Sequence, residues 1–427
     1  MARLKRELGL SGAVMMGLGA MVGTGVFVSI GIAAGVAGPA AITATALAAA
    51  VALCNALSSA QLAAAQPVSG GTYEYGYIYL NPWLGFTAGW VFLIAKSASA
   101  ATAALGFAGY LLTLLDVDAA ARIPIAIAAV AVFTLIVLGG IRQSNVVNIV
   151  IVTITVLALL FFVAMGEPSI EPRHYKPWFG NIEGGGARAQ ALFHATALMF
   201  VAYTGYARIA TLGEEVREPE RTIPRAIVVT MSLTLILYVS VITVAIGVIG
   251  ASGLQEATAA DAAPLAAAAR SFNVPFASTF LAVGAITAML GVLLNLILGL
   301  SRVALAMGRR GDMPSALSRV STRSRTPYVA VIVVGVTIAS LALIGDVKTT
   351  WSFSAFTVLI YYALTNWAAL KLPARQRHYP RWIAVVGLAA CLFLAFWVEP
   401  QTWLIGVALI AVGLVWHAVA QRHYSKA

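Results

Sequence analysis

The chain has 427 residues, 60% apolar and only 10% charged, with 27 Lys and Arg against 16 Asp and Glu for a formal charge of +11. Soluble domains carry roughly 25% charged residues, so this composition excludes a soluble enzyme or binding domain and points to an all-α polytopic membrane protein. The basic excess is scattered between apolar runs, which argues against nucleic acid as a partner and for a role in membrane topology.

Arg3, Lys5 and Arg6 precede an apolar stretch too long for a cleavable signal core, so this stretch is expected to remain as the first span, Leu10–Ala34. Within it, residues 17–27 hold Gly17, Gly19, Gly23 and Gly25. Each glycine weakens a helix by about 1 kcal/mol relative to alanine. A helix broken inside a bilayer must find partners for its freed N–H and C=O groups, so a break here has to face a cavity or a ligand. The other reading is a small-residue face for close helix packing.

The second span is Pro39–Ala64, followed by a polar, turn-prone linker, Gln66–Pro82. Spans three to five are Trp83–Leu115, Ile123–Gly139 and Asn145–Val163. A loop over Gly166–Arg188 leads to spans six, Ala189–Leu212, and seven, Ala226–Ile249. The loop Gly250–Asn273 is Ala-rich and suited to short surface helices. Span eight is Pro275–Met307, and after a basic linker spans nine to twelve are Pro327–Ile344, Thr350–Leu370, Ile383–Val398 and Thr402–Val419. With these twelve spans and a cytoplasmic N-terminus, 19 of the 27 Lys and Arg fall on the cytoplasmic side and six opposite. That asymmetry obeys the positive-inside rule and puts both termini in the cytoplasm of a multi-pass cell-membrane protein.

The remaining two, Lys96 and Arg208, lie inside spans. Lys96 is more than a dozen residues into span three, too deep for easy snorkelling, and is a candidate for a functional or structural buried charge. Arg208, near the end of span six, is expected to snorkel or to pair with Glu214 or Glu215. Cys54 and Cys391 both lie in apolar runs and read as small buried hydrophobes. The five histidines have no metal-binding spacing, and no catalytic residues, metal site or cofactor are expected beyond a sodium ion.

A second interrupted segment occupies the middle of span six, Phe200-Val201-Ala202-Tyr203-Thr204-Gly205-Tyr206-Ala207. Spans one and six would be the first helices of two five-helix halves, and paired interruptions at corresponding positions point to a midplane site in a secondary transporter. Half-helix N-termini would offer N–H groups to a carboxylate, and freed carbonyls would suit an ammonium or sodium ion. A zwitterionic amino acid supplies both charges.

Four stretches resemble the amino acid–polyamine–organocation transporter family, in its general amino acid permease branch. They are Gly19-Ala-Met-Val-Gly23-Thr24-Gly25-Val-Phe27; Phe200–Tyr206 followed by Ala210-Thr211-Leu-Gly-Glu214-Glu215-Val-Arg217-Glu218-Pro219-Glu-Arg221-Thr-Ile223-Pro224-Arg-Ala-Ile227; Gly70-Gly71-Thr72-Tyr73 with Asn81-Pro82; and Ser301-Arg302-Val-Ala-Leu-Ala306-Met307-Gly-Arg-Arg-Gly311-Asp312-Met-Pro314. The resemblance implies a five-plus-five inverted repeat (LeuT-like) of 12 transmembrane helices with helices 1 and 6 broken. Residues 1–165 would form the first repeat, 189–370 the second and 381–420 two peripheral helices, all within one domain, 1–427. It implies that Gly23, Thr24 and Gly25 meet the substrate carboxylate and that carbonyls near Ala20, Met21, Phe200 and Tyr203 accept its ammonium.

Phe200, Tyr203, Thr204, Gly205 and Tyr206 are the expected side-chain pocket and gates, or ordinary helix packing in the case of the aromatics. With no charge beside this pocket except Lys96, a neutral substrate is expected. The family's helix-five lysine, a proton-coupling group, corresponds here to Thr155, so Thr155 and Lys96 are the coupling candidates. Ala207 replaces an acid common in relatives, which weighs against cationic substrates. Glu214, Glu215, Arg217, Glu218 and Arg221 are expected to form ion pairs at a helix end or inward gate. The expected partners are an amino acid, a proton or sodium ion and membrane lipid, with no obligate protein partner. Amino acid exchange, or sensing without net flux, are the alternatives to coupled transport.

Overall fold

The structure, a computed structural model, describes residues 9–66, 70–140, 145–210, 216–322, 324 and 326–424. Its regular elements are helical. The first expected span is two half-helices, α1 (Leu10–Met21) and α2 (Ile30–Ala37), separated by the extended residue Val22 and a π-helical turn over Gly25–Ser29. A tight turn at Gly38–Ala40 then leads into α3 (Ala41–Ala65). Gly38 has φ 60, and a Cβ there would press on the backbone of Gly180 at 2.8 Å, so both conformation and space call for glycine.

The linker expected to be only polar and turn-prone contains α4 (Thr72–Tyr79). Next come α5 (Pro82–Leu115), α6 (Arg122–Leu138) and α7 (Asn145–Gly166). Asn81 caps α5 by accepting from the Leu84 N–H at 2.9 Å, with Pro82 in the first turn where its missing N–H costs nothing. Span six is again two pieces, α8 (Gly185–Tyr203) and α9 (Ala207–Ala210), around a tight turn at Thr204–Tyr206. Helix α10 (Pro219–Asp261) begins seven residues before the expected span, at a proline in first-turn position, and bends at Gly250 where φ is 74. The remaining helices are α11 (Pro264–Arg270), α12 (Ala277–Arg310), α13 (Tyr328–Ala342), α14 (Val347–Leu370), α15 (Arg381–Ala395) and α16 (Pro400–Tyr424).

Among the described residues, eight helices are long and apolar enough to cross a membrane, with α1, α13 and α15 apolar but shorter. The chain is therefore a multi-pass membrane protein. The difference from twelve spans has three sources. One merged segment, Gly25–Ala65, runs through the turn that joins α2 to α3; α13 and α15 fall below the roughly 20 residues needed to span hydrocarbon; and α8, 19 residues long, carries Arg188, Gln190 and His194 and is not among the eight.

Alanines set how closely the central helices approach. On α3, Ala44, Ala48, Ala52, Ala56 and Ala60 recur every fourth residue and are fully buried, on a helix packed against α8, α10, α14 and α15. The outer helices α6, α13 and α16 turn large side chains such as Leu135, Val336 and Val415 outward, the pattern of a lipid-facing surface. At one junction α3, α14 and α15 share a polar knot. The Asn366 amide donates to the Asn55 Oδ1 and to the Tyr362 carbonyl at 2.8 Å, and Asn55 Nδ2 donates to Cys391 Sγ at 3.2 Å. Both cysteines are free thiols.

Gly387 leaves room for this knot, since a Cβ there would lie 2.6 Å from Asn366 Oδ1 and 2.8 Å from Asn55 Oδ1. Gly387→Ala should therefore destabilise the protein by about 1–3 kcal/mol through forced displacement of the paired amides. The check is thermal melting in detergent, where an unchanged midpoint would contradict this packing.

Candidate functional site

The two interrupted helices touch each other at their breaks. A Cβ on Gly205 would overlap the Ala20 carbonyl oxygen and lie 2.7 Å from Met21 Cγ. A Cβ on Gly25 would overlap that of Ala202 on α8 and lie 2.8 Å from the Ala202 Cα. The interruptions therefore meet at Gly205 backbone to backbone and at Gly25 against a single methyl, and glycine is required at both because no further side-chain atom fits. Gly23 faces α12, where a Cβ would lie 2.6 Å from Val292 Cγ2.

The second half of the first span starts abruptly. The Val26 and Phe27 N–H groups both donate to the Gly23 carbonyl at 3.1 Å. The first N–H groups of a helix have no acceptor within it, so those of Thr24 and Gly25 stand at the positive end of a half-helix. The Thr24 hydroxyl is buried without a hydrogen-bond partner among the described residues, as is that of Tyr203. A π-helical turn, present here at Gly25–Ser29, often marks a functional site because it costs regular hydrogen bonding.

Carbonyls around the breaks are served by aromatic side chains from uninterrupted helices. Tyr238 on α10 donates to the Met21 carbonyl at 2.7 Å and approaches the Ala202 carbonyl at 3.4 Å. Tyr110 on α5 donates to the Phe27 carbonyl at 2.7 Å, Trp351 on α14 to Leu198 at 2.9 Å, and Tyr362 on α14 to Thr204 at 3.1 Å. The Thr204 hydroxyl closes its own turn by donating to the Val201 carbonyl at 2.7 Å. Sequence reading missed all four aromatics. The available signal was a lone Tyr or Trp deep in an apolar span, whose polar end must find a partner.

Phe200, Tyr203 and Tyr206, the expected gate aromatics, are fully buried. They pack in a ring cluster: Phe200 edge-on to Tyr362 at 5.7 Å, Tyr203 against Tyr238 at 5.1 Å and Tyr206 against Tyr362 at 5.3 Å between centroids. Below this cluster lies a cavity of about 840 Å³ that Ala20, Thr204 and Gly205 line at its head, with Lys96, Tyr361 and Asn295 on its walls. It extends to the exposed residues Arg302, Arg309 and Arg310 at the end of α12. Of the expected site residues, Ala20, Lys96, Thr204 and Gly205 therefore share one cavity, while Gly23, Thr24 and Gly25 lie buried just beyond it.

Lys96 reaches the second interruption directly, its ammonium donating to Thr204 Oγ1 at 2.8 Å. Thr155 is buried on α7 and donates to the Ile151 carbonyl of its own helix at 2.8 Å. The expected ion-pair loop is different in character. Glu214 and Glu215 fall outside the described residues, and Arg221 approaches Glu218 at 4.0 Å with both side chains exposed, a contact worth little.

A stronger polar cluster lies beside the cavity mouth, on elements where none was expected. Arg310 pairs with Glu74 of α4 at 2.5 Å and stacks over the Tyr77 ring at 4.0 Å. Tyr73 and Tyr77 of α4 both donate to the buried Asp312 carboxylate, at 2.6 Å and 2.7 Å, and His417 of α16 lies 3.3 Å from it. In α4, burial and then the hydrogen bond to Asp312 push both phenols above their ordinary range, so they stay protonated and donate. The cluster ties α4, the end of α12 and α16 together.

Residues 8–420 match the amino acid permease family. An uncharacterised transporter of Mycobacterium tuberculosis is 40% identical over 97% of this chain and 91% of its own length. A branched-chain amino acid permease of Bacillus subtilis is 28% identical over 99% of this chain and 94% of its own. A methylthioribose transporter of the same organism is 26% identical over 86% and 83%.

Tyr238→Phe should leave the Met21 carbonyl unserved in a water-poor interior and destabilise the fold by about 1–3 kcal/mol. Thermal melting of the purified variant checks this, and a wild-type midpoint would show that the break does not depend on Tyr238.

Proposed function

We propose that this chain, which belongs to the amino acid permease family, moves an amino acid across the cell membrane by alternating access, with the substrate held between its two helix interruptions. The family and the relatives are transporters, and the protein is not an enzyme. The observation that carries the proposal is the contact of Gly205 with Ala20 and Met21 at the head of a cavity large enough for a small solute.

In this reading α1 with α2, and α8 with α9, are the broken first and sixth of twelve spans in a five-plus-five inverted repeat. Both termini and the Arg-rich end of α12 face the cytoplasm. The N–H groups at Gly23, Thr24 and Gly25 take the α-carboxylate, with the Thr24 hydroxyl available beside them. The ammonium meets carbonyls near Ala20, Phe200 and Tyr203. Met21 contributes less than its position implies, because its carbonyl already accepts from Tyr238. Phe200, Tyr203 and Tyr206 form the barrier on the far side of the site, and the cluster of Glu74, Arg310, Tyr73, Tyr77 and Asp312 holds the near mouth.

Exchange of one amino acid for another, without ion coupling, is a second reading. It is favoured by Thr155, a hydroxyl bonded within its own helix where a titratable group would be needed for proton coupling.

Purified protein in proteoliposomes should take up a labelled amino acid with time. Gly25→Leu should reduce this to the level of empty vesicles, because the added side chain has no space against Ala202. Uptake by the variant at the wild-type rate would move the site elsewhere, and binding by the wild type without flux would favour sensing over transport.

A further inference from the structure

We infer that the transported amino acid carries an acidic side chain, and that Lys96 is the residue that selects it. The inference rests on the amino acid reading above and adds the substrate's charge. Lys96 is 9% exposed and lines the cavity, so its ammonium is removed from bulk water. Its hydrogen-bond partner among the described residues is Thr204 Oγ1 at 2.8 Å. That hydroxyl spends its own proton on the Val201 carbonyl, so it accepts from Lys96 and offers no negative charge. An ammonium has three N–H donors, which leaves two for another group.

No carboxylate pairs with Lys96 among the described residues. The Asp and Glu carboxylates seen in ion pairs there are held elsewhere, as in Arg173–Glu171, Arg221–Glu218, Arg310–Glu74 and Lys348–Glu399. A buried cation without a counter-charge is costly. The rest of the cavity deepens the imbalance. Arg302 and Arg309, exposed at the end of α12, also line it, and the one acid among its described lining residues, Glu74, is already held by Arg310 at 2.5 Å. Clefts lined by one sign of charge concentrate ligands of the other.

Position decides what the missing charge belongs to. Lys96 is bonded to Thr204, the residue before Gly205, and Gly205 touches Ala20 at the first interruption. A substrate whose α-carboxylate lies at the N–H groups of Gly23, Thr24 and Gly25 has its own ammonium to satisfy as well, and that ammonium would be repelled by Lys96. A second carboxylate on a short side chain resolves this, since it meets Lys96 in a charge-assisted hydrogen bond and makes the substrate a net anion. A neutral amino acid, the expectation from sequence, leaves Lys96 uncompensated; that expectation set Lys96 aside as the one exception, and its bond to Thr204 is what brings it to the pocket.

The experiment titrates aspartate, glutamate, asparagine and glutamine against the purified full-length protein, wild type and Lys96→Met, and reads the acid-to-amide ratio of affinities. Each amide matches its acid in shape and removes the charge. The wild type should bind one acid at least about tenfold more tightly than its amide, and Lys96→Met should bring that ratio close to one. Equal binding of acid and amide by the wild type, or a wild-type ratio in Lys96→Met, overturns the inference, including when the variant's uptake changes its pH dependence, which would make Lys96 a proton carrier instead. If Lys96→Met does not fold, the wild-type ratio alone decides. Binding of neutral amino acids with no acid preference refutes the Lys96 assignment and leaves amino acid transport standing. No binding of any amino acid, across a full set of side chains, refutes both.

Discussion

A helix that stops inside a bilayer must still satisfy its backbone, and the centre of this protein is arranged around that requirement. The interruptions at Val22–Gly25 and Thr204–Gly205 free carbonyls that water cannot reach. Phenol groups of neighbouring helices serve carbonyls at the breaks, Tyr238 from α10 at Met21 and Tyr362 from α14 at Thr204, while Tyr110 from α5 and Trp351 from α14 serve the adjoining carbonyls of Phe27 and Leu198. These are long side chains with an apolar body and one polar tip, so they cross a packed apolar layer and deliver one hydrogen bond at its end. On the N–H side of the first break the Thr24 hydroxyl has no hydrogen-bond partner among the described residues, and the first N–H groups of a half-helix are the end that suits an anion in the proposed reading.

Close contact between the breaks follows from glycine and alanine. Gly205 meets the Ala20 carbonyl backbone to backbone, and Gly25 meets Ala202 with only the alanine methyl between them. The pair therefore forms one polar element within an apolar bundle, and in the proposed reading a solute bound there would touch both interrupted helices at once. Lys96 joins this element through Thr204, and Tyr362 joins it through the carbonyl of the same residue, so Thr204 couples α5, α8 and α14 at one point. At the other end of the cavity, α4 is fastened to α12 and α16 by the Asp312 and Glu74 contacts. In the proposed reading, opening the near mouth would break those contacts, and opening the far side would part the Phe200, Tyr203 and Tyr206 rings from Tyr238 and Tyr362.

Much of the architecture can be read from the chain because the bilayer restricts it to apolar helices of known length. The glycines at 17, 19, 23 and 25 and the aromatic-flanked Gly205 marked both interruptions by the same logic. What sequence could not supply is pairing between distant residues. Helix α4 is short, tyrosine-rich and weakly amphipathic, and it is held by tertiary partners such as Asp312 that lie more than two hundred positions away. The carbonyl-serving aromatics look like any lipid- or core-facing residue until the helix they face is known. Lys96 was visible as a misplaced charge, but its bond to Thr204 required the fold.

The most direct trial is a structure determined with an amino acid bound. The α-carboxylate should lie at the backbone N–H groups of Gly23, Thr24 and Gly25, with the rest of the ligand between Ala20 and Thr204. Density for the ligand elsewhere, or a first span whose helical hydrogen bonds run unbroken through Gly23 when the ligand is present, would contradict the mechanism built here.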